Sequence, residues 1–474
     1  MEGNLESRGY HMKAIVSNKI FVENASREAY EWCNEQLRID NPDYYKKLNL
    51  GKWLGGTPQY ILLYERDGNN LTLPFGCFKD FYMRFKSKCT FEPQFSPIRQ
   101  ASYDGDINLY PYQEKAVNEA LEKRNGVVVM PCGSGKTQSA LALIQKIGGK
   151  CLWLTHTQDL LNQSLKRAQS LMLADYGTIT GGKVNIGNGI TFATIQTMVN
   201  LDLDQYRNVW DIIIVDECHK AVGSPTKVMQ FYKVLSALTA RYKYGLTATP
   251  KRADGIEKSM FALLGGIATV VTKDEVKDTT CPVEVRQIQT GFFPDCDAVL
   301  SGDGTINYAE LVDNLISDEK RFNFVMDEIG KIPKGEPIMV LANRVAYLEK
   351  MTAEYMNRNY GCALCLSTMS NSKSGKARRK AALESLNEGG LNAIFATYQL
   401  AKEGLDVPNL RYLVLSTPEK DETTVVQSAG RVARKADGKN KGIILDFVDS
   451  FGMFKGWANK RKNLYKKNDY NILT

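Results

Sequence analysis

From about residue 105 the apolar positions of the chain gather into short unbroken runs, "GVVVM", "CLWLT", "ITFAT", "DIIIV" and "KYGLT", with longer stretches of helical spacing between them. Runs of this length predict buried strands, and their alternation with helices predicts parallel βα units. After residue 330 the alternation begins again with "PIMVL", "CALCL", "NAIFAT", "RYLVLS" and "GIILDF", separated by helix-like segments such as "KARRKAALESLNE". Two doubly wound α/β domains in series is the simplest architecture, joined between residues 270 and 335, where "FFPDCDAVLSGDGTIN" breaks the periodicity. Ahead of them, residues 12 to about 100 read as a small α/β module. There "AIVSNKIFV" and "YILLYERDGNNLTLPFG" predict strands, the latter turning at "DGNN", and "SREAYEWCNEQL" has helical spacing.

A length of 474 residues with 43% hydrophobic content has room for two or three domains, each with its own core. The longest apolar runs stop far short of the roughly 20 residues that cross a bilayer, so a soluble protein is expected. Ten scattered cysteines and no signal-peptide pattern suggest reduced thiols and a cytoplasmic location, in a bacterial or phage-infected cell. Cys362 and Cys365 have zinc-knuckle spacing, but no second pair completes four ligands, and the chain has only three histidines. The net charge of +8 admits a polyanionic partner.

The chemistry concentrates in "VVVMPCGSGKTQSALALIQKI", residues 127–147. A strand-like run ends at Met130, a loop follows (Pro131, Cys132, Gly133, Ser134, Gly135), and a helical pattern begins near Thr137. Gly133 and Gly135 let backbone N–H groups approach phosphates, and the helix N-terminus adds positive potential. Lys136 is expected to reach the β- and γ-phosphates and Thr137 to hold Mg²⁺. Met130 stands where the longer phosphate-loop pattern has its first glycine. In "DIIIVDECHK", Asp216 and Glu217 leave the end of a buried run, where one acid can hold Mg²⁺ through water and the other can polarise the attacking water. Nucleotide hydrolysis is the chemistry these two motifs imply together.

"PCGSGKT", "DECH", "TATP" at 247–250 and "QSAGRVAR" at 427–434 resemble, in order and spacing, superfamily 2 helicases of the DEAD/DEAH type, in particular the XPB-like and phage UvsW-like DNA helicases. The resemblance spans roughly residues 105–450 and is weak before that. It implies two tandem RecA-like doubly wound parallel-sheet domains behind a small N-terminal α/β domain. The divisions would be a leader at 1–11, an accessory module at 12–100, an ATP-binding domain at 101–275, a second domain at 276–450 and a basic tail at 451–474.

The resemblance also implies ATP and Mg²⁺ as cofactors and a role for each matched residue. Gln113 would read the adenine edge. Tyr110 stands where relatives often carry arginine, and stacking by Tyr110 or Tyr112 would substitute. Asp216 would hold the metal and Glu217 orient water; His219 and Gln427 would connect the lobes, with Thr247, Ala248 and Thr249 relaying the nucleotide state. Arg431 and Arg434 would approach the γ-phosphate from the second lobe, with Ser428 where many relatives have a further basic residue. Gly404 and Asp406, in "FATYQLAKEGLDVP", would touch the ribose and sense closure.

Thr155, Gln163, Thr180, Gly181, Thr194 and Gln196 in the first domain, and Asn343, Arg344 and Thr397 in the second, resemble the family's strand-binding positions, although each could equally be a helix cap or loop filler. The tail "FKGWANKRKNLYKKNDY" suits either an electrostatic strand-binding surface or a basic helix packed on the second domain. "FKDFYMRFKSK" (Lys79, Arg84, Lys86, Lys88) is a candidate duplex-DNA contact in the N-terminal module. The expected activity is that of an ATP-dependent DNA helicase or translocase, a monomer that unwinds or remodels branched DNA in recombination, repair or replication. An RNA helicase and a nucleic-acid-stimulated ATPase switch remain the alternatives.

Overall fold

The computed structural model describes residues 11–220, 224–248, 257–295, 299, 305–366, 369, 373–404, 407–436 and 438–473. They form two compact units: Met1–Pro131 with Gly135–Thr272, and Cys132–Ser134 with Lys273–Thr474. Among the described residues no helix is long and apolar enough to cross a membrane.

The first unit opens with the strands β1 (Met12–Val16), β2 (Lys19–Glu23), β5 (Glu65–Asp67), β6 (Asn70–Pro74) and β7 (Cys89–Pro93), in the order β5-β6-β2-β1-β7. A separate pair, β3 (Arg38–Asp40) and β4 (Tyr60–Leu62), flanks the helix Pro42–Asn49. The turn expected at "DGNN" joins β5 to β6, with Gly68 at φ +57°, a left-handed conformation that costs glycine little.

The larger sheet of this unit contains β8 (Asn125–Val129), β9 (Cys151–Thr155), β10 (Tyr176–Thr180), β11 (Lys183–Asn185), β12 (Ile190–Thr194), β13 (Ile212–Val215), β14 (Tyr242–Thr247) and β15 (Ile267–Val270). Its order is β11-β10-β12-β9-β13-β14-β8-β15, parallel except for the β10–β11 pair. All five apolar runs of this region are strands, and every residue of β9, β12 and β13 is buried, as helices on both faces of a parallel sheet require.

The second unit repeats the design with β16 (Val283–Gln289), β17 (Ile338–Ala342), β18 (Cys362–Cys365), β19 (Ala393–Thr397), β20 (Tyr412–Leu415), β21 (Gly442–Val448) and β22 (Asn471–Leu473). The order is β18-β19-β17-β20-β21-β16-β22, parallel throughout. The α/β reading with doubly wound parallel sheets is borne out. Of the two readings of the basic tail, the structure has the packed helix: Gly452–Lys467 is a helix and Asn471–Leu473 joins the sheet edge. Arg461 and Tyr465, read among the strand-binding groups, are 3% and 1% exposed. The Arg461 guanidinium instead clamps Asp446, with Nη2 at 2.7 Å from Oδ1, and the Tyr465 hydroxyl donates to the same carboxylate at 3.2 Å. Burial left these groups one stable option, a charge partner inside the unit.

Residues of the N-terminal module and of the larger sheet in the first unit share one hydrophobic cluster, from Met12 and Phe81 through Val127 to Leu264. At the seam Lys243 is fully buried; its ammonium donates to Leu235 O at 2.9 Å and Asn18 O at 3.2 Å and lies 5.1 Å from the centre of the Phe75 ring. Burial pulls this lysine down from 10.5 to about 7. Between those two values the unfolded chain binds a proton that the folded chain lacks, so stability from this group rises with pH across the window and is flat outside it. Lys243→Met lacks that component. Melting temperatures of the two proteins, followed from about pH 6.5 to pH 10, should show wild type gaining on the variant as pH rises; parallel curves would contradict the assignment.

Candidate nucleotide-binding and catalytic site

The chemistry-bearing residues of the first unit leave the carboxyl ends of adjacent parallel strands. Across the sheet these are Thr194 on β12, Thr155 on β9, Asp216 and Glu217 after β13, Thr247 on β14 and the loop after β8. That edge is where open α/β sheets place ligands, because the following helices direct their N-termini there.

Met130 N donates to Thr247 O at 3.0 Å, so the loop leaves the sheet in register with β14. Gly133 and Gly135 have φ of +81° and +80°, a region that a side chain would strain. Gly135 caps the helix Lys136–Ile147, which ends at Gly148 in the same left-handed conformation. A Cβ on Gly135 would collide with Gln113 Nε2. The fold therefore brings Gln113 against the loop, although the two are distant in sequence. Gln113 is 1% exposed, and its Oε1 accepts from Tyr110 N at 2.9 Å, which tethers the start of the helix Pro111–Lys123. The Tyr110 and Tyr112 rings stack on each other at 5.7 Å and 6°; Tyr112 is buried and Tyr110 exposed. The Lys136 ammonium is half-buried over the loop, at 3.4 Å from the carbonyls of Met130 and Pro131, and Thr137 follows it in the first helical turn.

Asp216 is buried, its N–H donating to Leu154 O at 2.9 Å across the sheet. Its Oδ2 accepts from the Ser164 hydroxyl at 3.1 Å and its Oδ1 from Glu217 N at 2.9 Å. Burial, reinforced by the charge of Glu217, pushes the Asp216 carboxyl up to about 6, against the opposing pull of Lys136 and Ser164. A buried carboxylate held at that cost is one whose charge a cation would stabilise. Ser164 carried no sequence signal; it sits 52 positions from Asp216, one residue beyond Gln163, on the helix Gln158–Leu171.

Glu217 adopts φ +48°, uncommon for a residue with a side chain and the kind of local strain that packing must maintain. His219, 5% exposed, places Nδ1 2.9 Å from Thr247 Oγ1 and 3.3 Å from Glu217 Oε2. Three residues singled out in the sequence thus meet in one contact: an acid, an imidazole and a hydroxyl. Ala248 directly follows β14, and Thr249 lies outside the described residues. For Glu217→Gln, which keeps size but removes the carboxylate, turnover is expected to fall by roughly 10²–10⁴-fold. Nucleotide affinity should change little. Titration with a fluorescent ATP analogue alongside phosphate release separates the two, and full turnover by the variant would remove Glu217 from the chemistry.

In the second unit, Gln427 and Arg431 lie on the helix Glu422–Val432, with Ser428 fully buried. Arg431 is 8% exposed and donates from Nη2 to Ala401 O at 2.5 Å. Arg434 follows the helix, and its backbone forms an antiparallel bridge with that of Thr280. Gly404 ends the helix Tyr398–Gly404, and Asp406 lies outside the described residues.

Several strand-binding candidates are committed elsewhere. Thr155 is fully buried and its hydroxyl donates to Thr157 O at 3.0 Å, and Thr194, 6% exposed, pairs with Thr197 at 2.9 Å. These two hydroxyls finish strand ends rather than face solvent, because a buried hydroxyl needs a partner. Thr397 Oγ1 accepts from Leu400 N and caps the helix Tyr398–Gly404, while the Asn343 amide donates to Pro418 O at 2.8 Å. Arg344 pairs with Asp313 at 3.3 Å. Gly181 and Gln196 are exposed; Gln196 donates to His156 O, and Thr180 bonds Gln158. Gln163 is half-buried. In the N-terminal segment, Arg84 and Lys88 both pair with Glu28, at 2.7 and 2.6 Å, leaving Lys79 and Lys86 as its exposed cations outside those pairs.

Residues 106–252 match the family model of the type III restriction enzyme res subunit, and residues 320–436 match the helicase conserved C-terminal domain. A putative ATP-dependent RNA helicase of Acanthamoeba polyphaga mimivirus is 25% identical over 391 residues, which cover 79% of this chain and 70% of that protein. The ATP-dependent DNA helicase uvsW of Enterobacteria phage T4 is 24% identical, with 90% of this chain and 88% of that protein covered. A solved fragment of a putative HsdR subunit of a type I restriction enzyme from Vibrio vulnificus shares the fold, with a TM-score of 0.55 at 19% identity over 80% of this chain and 68% of that one.

Proposed function

The chain belongs to the superfamily 2 helicases, in the group that includes XPB and UvsW, and from that membership we infer that it is an ATP-dependent DNA helicase or translocase that unwinds or remodels branched DNA. The observation that carries the reading is the placement, on one edge of one parallel sheet, of the Lys136 loop beside a buried acid whose charge Lys136 helps to hold.

The glycine-lined loop and the acid pair, with Asp216 buried and Glu217 at φ +48°, fit a magnesium nucleotide. Backbone N–H groups of Cys132 to Thr137 would cradle the phosphates, with Lys136 on the β- and γ-phosphates. Tyr110 offers its exposed ring to the adenine, and Gln113 holds that segment against the loop. Mg²⁺, held by Thr137 and, through water, by Asp216, would neutralise phosphate charge. Glu217 takes the proton of the attacking water. For Gln427, Arg431 and Arg434 the proposed role is to stabilise charge on the transferring phosphoryl group, and for Gly404 and Asp406 a role at the ribose. His219 and Thr247 report the state of Glu217 to the sheet edge, where Gly181 and Gln196 contact the strand.

The proposed organisation is an accessory module at 12–100, motor domains at 101–275 and 276–450, and a closing helix and strand at 451–474. The protein works as a monomer in the cytoplasm of a bacterial or phage-infected cell. An RNA substrate is the second reading, favoured by the name of the mimivirus relative. Single-stranded DNA, blunt duplex, fork, four-way junction and matched RNA, compared for ATPase stimulation and product formation, test both. Fork or junction products with DNA alone support the first; stimulation by RNA alone selects the second, and no stimulation by any of them overturns both.

A further inference from the structure

A second surface of the first unit has the composition of a strand-binding groove. It lies between the loop 50–58, which follows the helix Pro42–Asn49, and the helix Pro225–Ala237. The opening encloses about 1100 Å³, at the upper limit of the roughly 300–1,000 Å³ of small-molecule clefts. A chain segment suits it better than a single small ligand. We propose that this groove binds a single-stranded segment of nucleic acid, with a base stacked on Trp53 and phosphates held by Lys46, Lys52 and Lys233. The inference rests on the nucleic-acid motor reading given above.

Trp53 is 89% exposed, a heavy cost for the largest apolar side chain unless its face is used. The indole is supported from one side. A Cβ on Gly55, whose φ is +54°, would come within 3.1 Å of the ring, so glycine backs it and leaves the other face open. The loop is tied down at both ends. Asn41 N donates to Gln59 O at 2.9 Å and its amide to Pro58 O at 2.7 Å, Lys52 N donates to Lys47 O at 2.9 Å, and the Lys47 ammonium donates to Thr57 Oγ1 at 2.7 Å. The groove's other aromatic ring, Tyr60, is already covered by the Arg38 guanidinium at 4.7 Å. Trp53 is therefore the stacking platform.

The charge is complementary to a phosphodiester chain. Lys46, Lys47, Lys52 and Lys233 line the groove with Asp43 as the one acid among its lining residues. Among the described residues no carboxylate is within ion-pair distance of these four ammonium groups, whereas Lys88 and Arg84 of the same module are both spent on Glu28. The Lys233 ammonium donates to Val199 O at 3.0 Å and keeps further N–H groups for a phosphate. Stacking beside lysines that lack a carboxylate partner is the sequence-tolerant mode of single-strand recognition. The helix Pro225–Ala237 begins five residues after Lys220, so a strand here would lie on the element that follows the acid motif.

The test uses the full chain and a labelled oligothymidylate without nucleotide, read by anisotropy over a range of salt. Trp53→Ala is expected to weaken binding about tenfold, and Trp53→Phe to keep most of the affinity. Lys46→Gln with Lys52→Gln should lower the salt slope by about 1.4, at roughly 0.7 per phosphate contact. Binding by the wild type should quench tryptophan emission, and Trp53→Phe should lose that quench. Basal ATPase activity without nucleic acid should be equal in all four proteins, which reports intact folding. Wild-type affinity and salt slope in Trp53→Ala would overturn the groove while leaving the motor standing, and displacement by thymidine monophosphate as effective as by the oligomer would overturn strand binding in favour of a mononucleotide site. Absence of any wild-type nucleic-acid binding would instead overturn the motor reading itself.

Discussion

Lys136→Ala is expected to lose ATP hydrolysis by at least roughly 10²–10³-fold, the scale on which a single positioned group stabilises charge in a dry site. Two effects act together. The variant has no ammonium to meet the β- and γ-phosphates, and it also removes the positive charge that holds the Asp216 carboxyl down against its burial. Asp216 should then titrate still higher and bind a cation less well. Folding should be unaffected, since among the described residues the ammonium's hydrogen bonds are the two at 3.4 Å to the carbonyls of Met130 and Pro131, and DNA binding should persist. Phosphate release measured at saturating DNA checks the first expectation, and DNA titration checks the second. Hydrolysis retained in the variant would dismiss the loop as the nucleotide site.

Arg321→Met is expected to cost about 3–5 kcal/mol of stability, the largest structural loss foreseen here. Arg321 and Asp449 are 1% and 0% exposed at the side chain. The guanidinium grips the carboxylate with Nε at 2.6 Å and Nη2 at 3.0 Å, and also donates to the Tyr347 hydroxyl at 3.1 Å and Ser416 O at 2.8 Å. Removing the cation strands Asp449 in the interior beside Thr290, with its charge uncompensated. The double variant Arg321→Met with Asp449→Leu should recover much of the loss, because two apolar side chains leave no buried charge behind. Thermal melts of wild type, both single variants and the double variant decide the matter. A double variant as unstable as the worse single variant would place the cost in packing.

Much of the first unit's site was legible because its signals are local. "PCGSGKT" and "DECH" each put their functional groups within a few residues of a strand end, and a run of apolar residues identifies that strand without knowledge of its neighbours. The N-terminal module was legible as strands and one helix, but the helix Pro42–Asn49 and the loop bearing Trp53 were not, since neither has a pronounced period. The tail was ambiguous for a physical reason. A helix with lysines on one side and Arg461 and Tyr465 on the other has the same composition whether it grips phosphates or packs on Asp446. The hydroxyls of Thr155 and Thr194 were open in the sequence in the same way, because a threonine at a strand end looks alike whether its hydroxyl faces solvent or a neighbouring oxygen.

The amino-acid order alone determined which reactive residue types are present and at which strand ends they sit: glycines that allow close backbone approach, a lysine and paired acids. The tertiary structure decided which distant residues share a site. Ser164 on Asp216, His219 on Thr247, Gln113 against Gly135 and the groove between Trp53 and Lys233 all follow from the order of strands in a sheet and the helices laid upon it. Periodicity marks which face of an element is buried; it carries no record of the partner, and long-range packing supplies one.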